Sequence, residues 1–354
     1  MMQRIALTGL FLLLNFTIHS TGHAQDAAQK PEGAIVRFGT PAKNDKGELT
    51  IDRGIESVIF TADGTKVAAG TRDGLLHIYD IKGEKEIASI KAHDGEIRAI
   101  VRKGAKSWLT ASYDGLIKEW SLEGTAVKTY PKLPGGAWTM AISNSGKKLA
   151  VGINTAEIVD RLILLDAATG RITQKLKGPG GINGLAFAPD DLTLLVTDHN
   201  VMQMWNLQNG GKLWQRGQEP KEEKGVVEFS IDSPLHSGCA FSPDKKYAAA
   251  TVDSQMGAYV LIWDAKTGKG HKRFPTRSGH VHFAFSPDSK WIALGGDEPE
   301  VVIYSVEKGE IAHDFTKPGQ RVTAIAFSPD GTKLVTGSWD SLVTVWDLSV
   351  LKGK

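Results

Sequence analysis

Short apolar runs alternate with polar turns along most of the chain, and one unit of this pattern returns at a nearly constant period. The unit opens with an apolar strand that ends in Phe-Ser-Pro-Asp, as at Phe241, Phe285 and Phe327. A second strand, another turn and a third strand follow, and the third strand ends in Trp or a similar residue. Such alternation is typical of β-strands, because amphipathic helices space apolar residues by three or four. The pattern predicts an all-β repeat protein.

The residue that closes each unit locates seven copies, 40 to 58 residues apart. The closing positions are Tyr79, Trp120, Leu165, Trp205, Trp263, Tyr304 and Trp346. A period of about 40 to 45 residues with this alternation of strands and turns fits one four-stranded propeller blade. The sequence therefore predicts a seven-bladed β-propeller of four-stranded antiparallel blades, formed as one domain by residues 34–354.

The last unit is one strand short. Eight residues follow Trp346, and they end in the polar Lys352-Gly353-Lys354. Residues 34–38, Ala-Ile-Val-Arg-Phe, have strand character and no partner among the seven units. We expect this segment to form the outer strand of the last blade, which removes an exposed edge from the ring.

The first 24 residues differ from the rest of the chain. Arg4 precedes a largely apolar run of 14 residues, and Gly22-His23-Ala24 places small residues where a signal peptidase reads them. The run is shorter than the ~20 residues that a membrane span requires. The sequence predicts a signal peptide over residues 1–24, cleavage after Ala24, a linker over 25–33 and a secreted or periplasmic protein. An uncleaved N-terminal anchor is the alternative.

Together these features resemble the WD-repeat family of β-propellers. The resemblance covers about residues 34 to 350 and is carried by Trp263-Asp264, Trp346-Asp347 and the Ser-Pro-Asp turns. In the second unit the spacing of the family's structural tetrad is matched by His93, Ser112, Asp114 and Trp120. The resemblance implies that these four side chains form a buried hydrogen-bond chain with a structural role. It also implies an assembly platform and not an enzyme.

Charge, cysteine content and motifs narrow the classes of function. The chain has 42 Lys and Arg against 40 Asp and Glu, so no charge sign dominates and nucleic-acid binding is not expected. Cys239 is the single cysteine, which excludes an intramolecular disulfide, and its place in an inner strand predicts a small buried residue. The sequence contains no nucleophile elbow, phosphate loop, dinucleotide fingerprint or zinc-protease motif. No cofactor is expected.

His280 and His282 are the strongest candidates for chemistry. They lie at the start of an inner strand, where alternation would point both imidazoles to one side. They could begin a metal site, but no third ligand is identifiable, and Gly279-His280 also resembles the family's loop histidine. Turn chemistry explains Asp198-His199-Asn200 and Asp297-Glu298. The alternative function is an enzyme or small-ligand binder with an axial site, similar to propeller lactonases or quinoproteins, with a metal on the two histidines.

Loop positions predict one functional face. The Ser-Pro-Asp turns lie at one end of the ring, so the loops between second and third strands and between blades lie at the other. The longest loops belong to this second end, at residues 41–53, 154–160, 218–225 and 253–258. Variable loops on a rigid scaffold are where binding usually resides.

Large side chains are expected on that same face. Arg72, Tyr113 and Trp339 each precede a second-turn Asp, and we expect Arg321 and Trp138 beside them. Trp, Tyr and Arg dominate the energetics of interfaces. The leading prediction is therefore an exported non-catalytic scaffold that binds a protein or peptide partner through these residues. The alternatives are that Tyr113 and Trp339 cover neighbouring turns and that Trp138 packs in the core.

Overall fold

The structure is a computed structural model. It describes residues 30–352, except 42, 44–45, 48–49, 51, 155–160, 180, 199–200, 217–237, 255–256, 277–278 and 317. The predicted signal peptide, most of the predicted linker, His199, Asn200 and much of the long loops lie outside the described residues. The predictions made for those segments stay predictions.

Seven four-stranded antiparallel sheets form in the described part of the chain, which confirms the predicted fold. The strands of blades one to three are β2 (Ile55–Phe60), β3 (Lys66–Thr71), β4 (Leu75–Asp80), β5 (Lys85–Lys91); β6 (Ile97–Lys103), β7 (Ser107–Ser112), β8 (Ile117–Ser121), β9 (Ala126–Thr129); β10 (Gly136–Ile142), β11 (Lys148–Asn154), β12 (Leu162–Asp166) and β13 (Ile172–Leu176). The strands of blades four to six are β14 (Gly184–Phe187), β15 (Thr193–Thr197), β16 (Met202–Asn206), β17 (Gly211–Arg216); β18 (Cys239–Phe241), β19 (Tyr247–Ser254), β20 (Gly257–Asp264), β21 (Gly270–Pro275); β22 (His282–Phe285), β23 (Trp291–Gly295), β24 (Glu300–Ser305) and β25 (Ile311–Thr316). Blade seven contains β26 (Val322–Phe327), β27 (Lys333–Ser338), β28 (Val343–Asp347) and β1 (Ala34–Phe38), and a 3-10 helix (Ser349–Leu351) follows.

The first strand of each blade lies next to the first strands of its two neighbours, so these strands surround the axis of the ring. The core lies between blades. Val58 and Phe60 of blade one, for example, pack with Val335 and Val343 of blade seven. All seven residues that close the repeats are buried. Among the described residues, no helix has the length and apolarity that crossing a membrane requires.

The Ser-Pro-Asp segments form turns stabilised by side chains, as blade seven shows. The Ser328 hydroxyl donates to Asp330 at 2.5 Å and accepts from the Lys333 N–H at 2.9 Å. Asp330 also accepts from the Thr332 N–H. Although desolvation acts in the opposite direction, hydrogen bonds from Ser328 and Thr332 lower the pKa of Asp330 to about 2. These residues specify a reversal of the chain at the end of each blade opposite the second turns.

The N-terminal strand β1 closes the last blade, as predicted. It pairs antiparallel with β28, in the order β1-β28-β27-β26. Ala34, Val36 and Phe38 are buried, and Phe38 stacks on Tyr79 of blade one with ring centroids 4.5 Å apart. The closing strand therefore contributes its apolar side chains to the junction between the first and last blades.

Every outer strand carries a register shift at the same place. In the six blades formed by consecutive strands, the shift lies beside the residue that closes the repeat. The closing strand has the same irregularity, between Ala34 and Val36, opposite Trp346. A bulge bends and twists an edge strand, which hinders edge-to-edge pairing with another chain.

Candidate partner-binding face

Backbone hydrogen bonds place Arg72, Tyr113 and Trp339 at equivalent points of three blades. The N–H of each residue donates to the carbonyl of the residue that directly precedes the inner strand of its own blade. The acceptors are Gly54, Glu96 and Arg321, at 2.9, 3.0 and 3.0 Å. Each large side chain is thereby fixed on the face formed by the second turns and the inter-blade loops.

Bulges in the inner strands bring further side chains to the mouth of the axis. A register shift in β2, β6 and β10 leaves Glu56, Arg98 and Trp138 without an opposite residue on the second strand. The same shift in β26 falls at Thr323. Bulges re-aim side chains and occur often next to functional sites. Three neighbouring blades thus present a carboxylate, a guanidinium and an indole at one level.

Arginine and aromatic side chains form one continuous group, which we call the Arg–Trp network. The guanidinium groups of Arg72 and Arg321 both lie over the Trp339 ring, at 5.7 and 4.5 Å from the ring centroid. The Arg98 guanidinium covers the Trp138 ring at 4.1 Å, and Tyr113 meets that ring edge-on, 6.2 Å between centroids. Cation–π contacts of this kind fix both partners.

Carboxylates connect the arginines of the network. Glu56 pairs with Arg72 at 2.8 Å and with Arg98 at 2.7 Å. Glu96 bridges the same two arginines at 3.6 and 3.2 Å. The Asp297 carboxylate lies 2.9 Å from Arg321, the second arginine over the Trp339 ring. Ion pairs shared in this way hold long side chains in one geometry before any partner arrives.

The network contains all five residues for which the sequence predicted partner binding. Tyr113 is 50% exposed, and Trp339 and Trp138 are half-buried. Sequence reasoning did not select Arg98, Glu56 and Glu96. A signal for the first two exists, since each directly follows the buried Ile that opens an inner strand.

In blade two, the hydroxyl in the predicted tetrad belongs to Thr110 and not to Ser112. His93 Nδ1 lies 3.0 Å from Asp114, and its Nε2 lies 2.7 Å from the Thr110 hydroxyl. The Trp120 indole N–H donates to the same hydroxyl at 2.9 Å. Ser112 instead accepts the N–H of Asp114 within the turn. Thr110 therefore links histidine to tryptophan, because its side chain, and not that of Ser112, lies opposite the indole.

His280 and His282 do not share a strand, contrary to the alternation argument. β22 begins at His282, and His280 lies before it with a φ of 47°. The His280 ring contacts Asp297 at 3.1 Å. Burial and the charges of Arg321 and Arg98 lower the pKa of His282 to about 3. Among the described residues no group of three His, Cys, Asp or Glu could hold a metal ion, and guanidinium groups beside His282 repel a cation.

The remaining candidates have local structural roles. Cys239 is half-buried, its Sγ donates to the Leu195 carbonyl at 3.7 Å, and burial raises the pKa of the thiol to about 12. A thiol of this kind is a poor nucleophile. The buried Asp198 accepts the Val201 N–H at 2.6 Å, as a turn residue does.

Comparisons with known proteins agree with the repeat pattern. The family model "WD domain, G-beta repeat" matches residues 47–80 and 309–347. The chain is similar to a p21-activated protein kinase-interacting protein 1-like of Danio rerio, with 25% identity over 80% of this chain and 61% of that protein. It is similar to Protein ROOT INITIATION DEFECTIVE 3 of Arabidopsis thaliana, with 25% identity over 81% of this chain and 67% of that protein. Telomerase protein component 1 of Rattus norvegicus is 26% identical over 58% of this chain but only 7% of its own length.

Proposed function

The chain is a WD-repeat seven-bladed β-propeller, and we propose that it is an exported, non-catalytic scaffold that binds a protein or peptide partner on the Arg–Trp network. The observation that carries this proposal is the concentration of Trp339, Trp138, Tyr113 and their arginines on one face. Clustered Trp, Tyr and Arg supply most of the free energy of binding at protein interfaces. The name of one relative refers to an interaction with a protein kinase, which is in keeping with this use of the fold.

Preorganisation is the second support for binding at this face. Arg72 and Arg321 both contact the Trp339 ring, and they are paired with Glu56 and Asp297 respectively. A partner therefore meets side chains whose rotamers are already restricted, which reduces the entropy cost of association. We do not propose metal-dependent catalysis, because the ring of His282 lies near Arg98 and Arg321 and a cation there would be repelled.

Affinity capture from a native extract tests the proposal. We expect the purified wild-type protein to retain a partner and the double variant Tyr113→Ala/Trp339→Ala to retain at least about tenfold less of it. The matched control is Val127→Ala/Leu213→Ala, which removes exposed apolar side chains from the outer strands β9 and β17. Undiminished capture by the first variant, with a melting temperature close to that of the wild type, would exclude this face.

Export gives a separate prediction. Expression of the full chain in a bacterial host with a secretion pathway should release a mature protein that begins at Gln25, because the segment before it has the features of a cleaved signal. Intact-mass measurement of the protein from the periplasm or the medium identifies the N-terminus. An unprocessed chain that starts at Met1 and stays with the membrane would support the uncleaved anchor instead.

A further inference from the structure

Three nitrogen-bearing side chains come together at the mouth of the axis. Arg98 lies at the bulge of β6, His282 opens β22, and Arg321 directly precedes β26. Their inner strands follow one another around the axis, since β22 packs against β26, β26 against β2 and β2 against β6. The positive charges of Arg321 and Arg98 both act on the His282 ring. They come from three blades, so the closed ring alone brings them together.

Two donors in this group lack an acceptor. Within the described residues, the buried Nε atoms of Arg98 and Arg321 have no hydrogen-bond partner. Both carboxylates that pair with Arg98 lie beside its Nη1. The Nε of Arg321 lies 2.9 Å from Asp297, but its N–H is not directed at that oxygen. Buried donors are almost always satisfied in folded proteins, so an orphaned pair indicates an acceptor that the described residues do not supply.

The side chains of this group offer hydrogen-bond donors to an anionic acceptor. Desolvation and the two arginines hold His282 neutral, with a pKa of about 3, although the Asp297 charge opposes them. A neutral imidazole offers one N–H donor without adding charge. Each arginine side chain is 18% exposed, so part of each guanidinium remains open to a ligand while the rest is fixed by stacking on Trp138 or Trp339.

We propose that Arg98, Arg321 and His282 form a subsite for a carboxylate group of the partner that binds the Arg–Trp network. The inference rests on the proposed function, and it adds the chemistry that the partner must carry. A guanidinium presents two parallel N–H groups to a carboxylate, and a carboxylate oxygen beside each Nε–H group would give these donors their acceptors.

Charge balance favours a carboxylate over a multiply charged anion. Arg72, Arg98 and Arg321 are already balanced by Glu56, Glu96 and Asp297, so the network as a whole carries little net charge. A single negative charge can be accommodated by redirecting N–H groups, whereas a second would face the three carboxylates without compensation. The exposed Tyr113 borders the same mouth and offers apolar surface to the residues beside the carboxylate.

The test uses short peptides and the purified protein. The probes are an N-acetylated, C-amidated tetraglutamate, the corresponding tetralysine, and tetraglutamine peptides with free and with amidated C-termini. We expect calorimetric titration to show binding of tetraglutamate and none of tetralysine. Tighter binding of the free tetraglutamine acid than of its amide would also support the subsite and would assign it to a chain terminus.

Variants locate the binding. Arg321→Gln and Arg98→Gln should each weaken binding of the carboxylate peptide at least about tenfold. Arg102→Gln is the matched control, because Arg102 lies on β6 toward the opposite end and donates to the Thr61 carbonyl. Arg98→Gln leaves Glu56 with one partner fewer and could disturb folding. The decisive measurements are therefore peptide binding by Arg321→Gln and the pKa of His282 in the wild type. In the wild type, nuclear magnetic resonance of the His282 ring should show its pKa raised by the bound anion.

Equal binding of tetraglutamate and tetralysine, or unchanged binding in Arg321→Gln together with an unchanged His282 pKa, would overturn the subsite. The two proposals fail separately. If Tyr113→Ala/Trp339→Ala loses the partner but the wild type binds none of the peptides, the proposed binding face is supported and the carboxylate subsite is refuted. If peptide binding depends on Arg321 but the double variant still captures the partner, the carboxylate subsite is supported and the proposed binding face is refuted.

Discussion

At the scale of single residues, hydrogen bonding of buried polar groups decides which polar side chains contribute most to stability. The Trp120 indole donates to Thr110, and Trp346 donates to Thr336 at the equivalent place in blade seven. In blade four the Trp205 indole instead donates to Gln203 at 3.0 Å. The buried tryptophan thus requires an acceptor, while the identity of that acceptor varies from blade to blade.

Thr110 is therefore expected to contribute more to stability than Ser112. Thr110→Val leaves the Trp120 N–H and His93 Nε2 without their buried partner, which should lower the free energy of unfolding by about 2 kcal/mol. Ser112→Ala removes the acceptor of a single donor, the Asp114 N–H, and should cost about 1 kcal/mol. Urea unfolding of both variants measures the difference. A larger loss in Ser112→Ala would contradict the hydrogen-bond chain through Thr110.

At the scale of strands, bulges in the outer strands hinder edge-to-edge pairing, and bulges in the inner strands position residues of the candidate site. Outer strands shift register beside the residues that close the repeats, and β1 does the same although it comes from the other end of the chain. Inner-strand bulges present Glu56, Arg98 and Trp138 at the mouth of the axis. The same backbone feature, the β-bulge, therefore protects the outer strands from pairing with another chain and positions side chains of the candidate site.

The closing strand gives a prediction at this scale. Deleting residues 34–38, or replacing Val36 and Phe38 with Ser, should lower the free energy of unfolding by at least about 3 kcal/mol, because two buried apolar side chains are lost. The control Val127→Ser/Leu213→Ser alters exposed positions on other outer strands. Chemical denaturation compares the variants, and a truncated protein with the stability of the wild type would refute closure by β1.

At the scale of the whole ring, histidines in different blades make stability depend on pH. Burial lowers the pKa of His93, and burial with Arg321 and Arg98 lowers that of His282 to about 3. Both pKa values lie below the value of about 6.5 in an unfolded chain, so the unfolded state binds more protons in mildly acidic solution. Protonation of these histidines then favours unfolding of the ring.

The free energy of unfolding should therefore fall as the pH decreases from about 6.5 to 4.5, a window above the titration of the ion-paired carboxylates. His282→Gln should show a shallower dependence, since its side chain cannot be protonated in the unfolded state. Denaturant titrations at several pH values measure both slopes. Equal slopes in the wild type and the variant would contradict a depressed pKa at His282.

Part of the site could be predicted once the repeat register was known. Register located Arg72, Tyr113 and Trp339, because the residue before each second-turn Asp has a fixed place in a blade. It could not locate Arg98, whose exposure at the mouth depends on an inner-strand bulge. It also could not distinguish Thr110 from Ser112, because both lie on β7 and only the facing strand shows which hydroxyl reaches Trp120.

The sequence by itself determined the repeat, the number of blades and the closing segment. These follow from local turn chemistry and strand alternation, which depend on near neighbours in the chain. Tertiary structure decided which side chains meet around the axis. Arg98, His282 and Arg321 are far apart in sequence and lie near one another only when blades two, six and seven join the closed ring, so their shared electrostatics has no local sequence signal.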